Sequence, residues 1–195
     1  MKMKTLVFLL LSVLMATAAF GYINYPTDTF AIYFDSGNFT EQIYVSPFVP
    51  FNAYLVLTNP ASATNGFECT VTTSGTAPAF ALSTTLNGAG AIDVDASPNG
   101  FMVGCSANYP RLNDGCTLVT WQYMLTGPGI LQFFINKATI PSLPGGLPVV
   151  TGDGVLRRCG VSSGEVTFPC ACVNYECRGM PVESSVFGSI KALFR

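Results

Sequence analysis

Residues 116–138, CTLVTWQYMLTGPGILQFFINKA, constrain the fold more than any other stretch. Val119, Trp121, Tyr123 and Leu125 recur at every second position, so in an extended chain they share one face. Gly-Pro-Gly at 127–129 turns the chain, and a second β-rich run follows at 130–138. The same grammar repeats elsewhere. TFAIYFD (29–35), QIYVS (42–46), FNAYLVLT (51–58), GFECTVTT (66–73) and a shorter run at 79–83 are each closed by glycine, proline or asparagine. FNAYLVLT is almost wholly apolar, as a buried central strand would be. In GFECTVTT, Phe67, Cys69 and Val71 alternate with Glu68, Thr70 and Thr72, which predicts a strand with one dry face. Helical periodicity is nearly absent from this part of the chain. Many short strands between frequent turns predict an all-β fold, an antiparallel β-sandwich.

The clearest hairpin is AIDVDA and FMVGCS around Ser97-Pro98-Asn99-Gly100. Proline presets φ and Asn-Gly tolerates positive φ. A second pair is expected between GVLRRCGV and EVTFP, joined by SSG.

The N-terminus reads as a secretory signal peptide over residues 1–21. Lys2 and Lys4 precede an apolar run at 6–15, and small residues follow in ATAAFG. The run is shorter than the ~20 residues a membrane-spanning helix needs. Cleavage is expected after Ala18 or after Gly21, which places the mature chain outside the cell, in a periplasm or on a cell surface. Loss of the two lysines takes the net charge from −2 to −4, and charged residues are only 10% of the chain. Such a chain offers no basic field to nucleic acid and no polybasic patch to anionic lipid. No later segment has the length of a membrane span. About 175 residues remain, enough for one domain.

There are seven cysteines and no histidine. The missing histidine excludes Ser-His-Asp and Cys-His catalysis and histidine metal ligands. In an oxidising compartment the cysteines should pair, and an odd count leaves one over. Cys105, Cys116, Cys159, Cys170, Cys172 and Cys177 are the disulfide candidates. Cys105 with Cys116 would close the SANYPRLNDG loop, and Cys159 is expected to pair within the 170–177 cluster. Cys69, between apolar neighbours in mid-strand, is the expected free thiol. The cluster CACVNYEC lacks paired C-x2-C knuckles, so no metal site is expected.

The remaining chemistry-bearing residues have structural explanations. DVDASPNG opens like a calcium loop at Asp93, Asp95 and Ser97. Pro98 occupies the required glycine position, however, and Gly104 stands where the closing glutamate belongs. It reads as a hairpin, with Asp93 and Asp95 on one solvent-facing side. Trp121, the only tryptophan, alternates with apolar residues and reads as core. Tyr22, Tyr25, Tyr109 and Tyr175 lie outside the strands and are the candidates for exposed aromatics. A glycosidase would need paired carboxylates, and Glu68 with Asp93 or Asp95 is the only pairing that neighbouring strands suggest. Asn38-Phe39-Thr40 is a glycosylation sequon, relevant only in a eukaryotic secretory pathway. No catalytic residue, metal ligand or cofactor is assigned.

The order FNAYLVLTNP, GFECTV, LVTWQYMLTGPGILQFFINKA and VVTGDGVL resembles the cohesin-like β-sandwich, a fold related to some carbohydrate-binding modules. The resemblance spans roughly residues 29–168. It implies a glycine-bearing final hairpin, and as functions the gripping of dockerins, cell-surface assembly or glycan binding. Fold alone confers none of these.

The C-terminal residues 183–195 read as a short amphipathic helix. Ser184 or Ser185 can cap it, Phe187, Ile190, Leu193 and Phe194 supply an apolar face, and Lys191 and Arg195 suit its C-terminal end. FGSIKALFR also resembles a C-terminal ending of exported proteins from poorly studied bacteria, aromatic-Gly-x-Ile-Lys-x-Leu-aromatic-Arg. That resemblance implies a sorting or attachment tag, whereas the residues alone fit a helix docked on the domain. The sequence thus divides into a signal peptide (1–21), a β-sandwich, Ig-like or cohesin-like (22–168), a cysteine-rich linker (169–182) and the tail (183–195). A non-catalytic, secreted or cell-surface module serving in protein interaction or surface structure is expected. A carbohydrate-binding module is the first alternative and a paired-carboxylate hydrolase the second.

Overall fold

A computed structural model describes residues 26–37, 39–112 and 114–177. The expected signal peptide (1–21), Tyr22, Tyr25, the sequon's Asn38 and the tail residues Phe187, Ile190, Leu193 and Phe194 lie outside the described residues. Thirteen strands and no helix occur among those described. In chain order they are β1 (Thr29–Tyr33), β2 (Gln42–Ile43), β3 (Phe51–Thr58), β4 (Gly66–Gly75), β5 (Ala79–Leu86), β6 (Ile92–Asp93) and β7 (Gly100–Gly104). They continue with β8 (Gly115–Leu125), β9 (Leu131–Asn136), β10 (Val149–Gly152), β11 (Val155–Arg158), β12 (Gly160–Val161) and β13 (Ala171–Val173).

Two sheets face each other. One has the order β12-β1-β3-β8-β5. The other runs β11-β10-β4-β9-β13-β2, with β7 on the second edge of β4 and β6 outside β7. The alternating residues of the long strands meet between the sheets. Phe30, Ile32, Leu55 and Leu57 from one side bury against Phe67, Cys69, Phe133 and Ile135 from the other. Each fully buried large side chain of this set is worth about 1.5–3 kcal/mol. β1 is buried on both faces, because Ala31 and Tyr33 form a second cluster with Val56 on the outer side, where the ring of Phe39 stands edge-on to Tyr33 at 4.9 Å.

The sheets are not wholly antiparallel. β1 pairs parallel with β12 and β2 parallel with β13, because these short strands return from distant parts of the chain rather than from adjacent hairpins. β13 also corrects the boundary at residue 168. Cys170, Ala171, Cys172 and Val173 are buried in the sheet between β9 and β2, so the sandwich runs through the first part of the expected linker. EVTFP forms no strand. After β11 the chain crosses to the opposite sheet as β12, so the SSG hairpin does not exist. The final hairpin is instead β10–β11, VVTG-DG-VLRR, with positive φ at Asp153 and Gly154 as a tight two-residue turn requires.

β9 and β10 lie end to end along one edge of β4, opposite residues 70–75 and 66–68 respectively. The chain between them, 137–148, leaves the sheet as a loop over its outer face. Glu68 points to that face and is only 5% exposed beneath the loop.

Candidate functional site: a cleft between two sheet edges

The sandwich is open along one side, where β5 ends one sheet and the β6–β7 hairpin ends the other. A cleft of about 280 Å³ lies between them. Its floor is aromatic. Phe101 and Trp121 meet edge-on at 5.8 Å, and Tyr123 follows Trp121 at 6.4 Å. Alternation along β8 sends Trp121 and Tyr123 to the same inner side, and register sets Thr84 and Ala81 of β5 opposite them. The far rim carries Asp93, Asp95, Ser97 and Asn99.

The DVDASPNG segment is a hairpin whose carboxylates replace missing backbone acceptors. Asp93 Oδ1 accepts the amides of Asp95 (3.0 Å) and Met102 (2.9 Å), and Asp95 Oδ1 accepts the Ser97 amide at 2.8 Å. The Ser97 hydroxyl and amide hold the Asp95 carboxyl below its ordinary range. Ser97 to Gly100 closes a β-turn through a 3.2 Å amide–carbonyl bond, with Asn99 at φ 63°. The solvent-facing side on which the two aspartates are expected is the open cleft. Asp93 sits opposite Val103, whose side chain is in the core, so both carboxylates line the cleft between the sheets.

Glu68 does not join them. Its Oε1 accepts the Ser142 amide and its Oε2 the Ser142 hydroxyl, both at 2.7 Å, on the outer face of the sheet. The pairing with Asp93 or Asp95 that a glycosidase would need is therefore not assembled. Trp121 is 4% exposed, so it forms the base of the cleft rather than a platform for a sugar ring. Burial pushes the Tyr123 phenol up to about 12. Tyr109, expected at the surface, is buried, packed edge-on to Phe67 beside Cys105. Burial raises its pKa well above the phenol range. Tyr175 is 41% exposed.

The cysteines pair differently from the sequence expectation. Cys172 bonds to Cys177 and ties the end of β13 to the segment that follows. Cys69, Cys105, Cys116, Cys159 and Cys170 are thiols. Cys159, expected to pair within the 170–177 cluster, is instead a buried thiol. Cys105 and Cys116 flank Tyr109 without bonding: Cys105 Sγ borders its ring, and Cys116 Sγ approaches its carbonyl oxygen at 4.0 Å. Cys170 Sγ lies 3.4 Å from the Ser163 hydroxyl. Burial raises the pKa of Cys69, Cys116, Cys159 and Cys170. Among the described residues no group of three or more cysteine, aspartate or glutamate side chains could hold a metal ion.

Beside the cleft runs a second feature that strand periodicity alone did not flag. β5 is an edge strand, AFALSTTL, with no charge and no proline, and nothing among the described residues pairs with its outer edge. The Asn87 amide bonds to Leu118 and the Thr126 amide to Pro78, which fixes the parity of the β5–β8 ladder. The backbone groups of Ala79, Ala81, Thr84 and Leu86 accordingly point away from β8. Phe80 and Leu82 are 44% and 43% exposed on this strand.

The fold and its open side define a two-sheet β-sandwich of mixed topology. The chain is similar to a cohesin module from a Clostridium perfringens family 33 glycoside hydrolase, at 11% identity and a TM-score of 0.38, covering 68% of this chain and 91% of the module. No protein-family model matches the chain, and no curated protein matches it.

Proposed function

We propose that this protein is a non-catalytic, exported binding module that takes a polypeptide partner along the open side of its sandwich. The observation that carries this reading is the edge strand β5, whose outward backbone groups have no partner among the described residues and stand beside a preformed aromatic cleft. Natural sheets blunt such edges with lysine, proline, bulges or covering segments; β5 has neither lysine nor proline, and its one bulge, at Ala81–Ser83, leaves uncharged outward groups on both sides. An uncharged edge strand suits strand addition, in which main-chain bonds give affinity and alternate side chains give selectivity. The carboxylates support a non-catalytic reading, since Asp93 and Asp95 are engaged as acceptors for the hairpin backbone and Glu68 for Ser142.

A photo-cross-linkable residue at Ser83, introduced in the full chain and activated on the cells that make it, tests the proposal. Discrete polypeptide adducts at Ser83, absent when the same residue sits at exposed Val155, are expected. No adduct at either position, with Trp121 fluorescence responding to oligosaccharides, would favour the carbohydrate-binding alternative instead.

A further inference from the structure

We infer that the open side selects an extended partner segment with a lysine or arginine directed inward, its stem on the aromatic floor and its charge at Asp93 and Asp95. The inference rests on the strand-addition reading and names the chemistry of the partner.

A strand added to β5 lies about 4.8 Å beyond it in the same sheet. Its alternate side chains then project toward the opposing sheet, about 10 Å away, as those of Ala81 and Thr84 already do. The opposing edge at that level is the β6–β7 hairpin, and it presents two carboxylates. Asp93 uses one oxygen, Oδ1, for both of its backbone amides. Among the described residues no lysine or arginine lines the cleft, so its rim is net negative. A long basic side chain spans the gap and covers aromatic surface with its methylenes, which a shorter residue cannot do.

Charge also decides against a second copy of β5 as the occupant. AFALSTTL contains no cation, and two-fold pairing of β5 with itself would leave both pairs of aspartates unmatched. The partner must bring the positive charge.

The test uses the full chain and a short synthetic peptide alternating threonine and valine around one lysine. Binding is read from Trp121 fluorescence and from amide-exchange protection across residues 79–86. The lysine peptide should change the emission and protect the outward amides. A glutamate in place of the lysine should weaken binding by about fivefold, the upper value of one lost exposed charge pair. Asp95→Asn, which keeps an oxygen for the Ser97 amide, should narrow the difference between the two peptides. Ala81→Pro, which removes an outward amide, should abolish binding while unliganded Trp121 emission stays unchanged.

Equal binding of the lysine and glutamate peptides overturns the inference and leaves the strand-addition reading standing. So does a lack of response to either peptide in a chain whose Ser83 cross-links to polypeptides. If the outward amides of Ala79, Ala81, Thr84 and Leu86 are already protected in the free chain, the inference also fails. Loss of that protection on dilution then assigns the edge to a second copy. Loss on removal of residues 178–195 assigns it to the chain's own C-terminal segment.

Discussion

Glu68 grips Ser142 with both carboxylate oxygens, one on the amide and one on the hydroxyl, each at 2.7 Å. This contact, with the 3.0 Å Ser97–Thr139 hydroxyl pair, fastens the 137–148 loop over the outer face of β4. A buried carboxylate with two donors stabilises the loop strongly, and losing its charge leaves weaker bonds. Glu68→Gln should cost about 1–3 kcal/mol in urea unfolding. Amides of residues 139–146 should exchange faster in the variant. Combined with Ser142→Ala, the double-mutant cycle should show clear non-additivity.

Arg157 organises the opposite end of the sandwich. Its guanidinium donates to Asp28 Oδ2 at 2.8 Å and to Asp28 Oδ1 at 3.3 Å, and also to the hydroxyls of Ser62 and Thr64. Asp28 is nearly buried, so Arg157→Ala strands its carboxylate and should cost about 3–5 kcal/mol at pH 7. The hydrogen bond to Asp28 raises the guanidinium pKa above its already strongly alkaline ordinary value. A raised folded value means the contribution is intact below the unfolded guanidinium's pKa and is lost only above it. Wild-type and Arg157→Ala unfolding curves should therefore keep a constant separation from neutral to mildly alkaline pH.

Tyr123 sets an alkaline limit. Its folded pKa of about 12 exceeds the ordinary 10, so the unfolded chain releases this proton first. Stability is therefore full below pH 10 and falls as pH rises toward 12. Tyr123→Phe should lessen that fall, measured as the slope of unfolding free energy against pH.

Thiol accessibility should divide sharply. Cys105 is half-buried, whereas Cys69, Cys116, Cys159 and Cys170 are buried with raised pKa values. Iodoacetamide at pH 8 should label Cys105 in the native protein. All five should label in denaturant without reductant, and Cys172 and Cys177 only after reduction. A Cys105–Cys116 disulfide in the mass spectrum would contradict this arrangement.

Gly152 is required by close backbone approach. A Cβ there would strike the carbonyl of Ala63, in the loop that packs on β10. Gly152→Ala should cost about 1–3 kcal/mol, read as a lower thermal midpoint.

The long strands were legible because period-two alternation and turn residues agreed. Phe67, Cys69 and Val71 face the core, as does Trp121, and Pro98-Asn99-Gly100 turns the chain. The short strands were not. β12 and β13 have two and three residues, too few to show a period, and their parallel partners lie far away in sequence. The cleft was half legible. Asp93 and Asp95 stood out as a pair on a wet side, but that this side is the opening between the sheets depended on the pairing of Asp93 with Val103. Tyr109 resembled a loop aromatic because nothing local marks the packing of its ring against Phe67. Cysteine spacing suggested pairings that tertiary placement did not produce.

β1 and β2 wait for β12 and β13, strands that follow them by roughly 130 residues. A chain emerging from a ribosome or a translocation pore N-terminus first exposes its opening strands long before their partners exist. Both sheets therefore gain their last members near the end of passage, so the lacing of early strands to late ones delays completion of the fold until almost the whole domain has emerged.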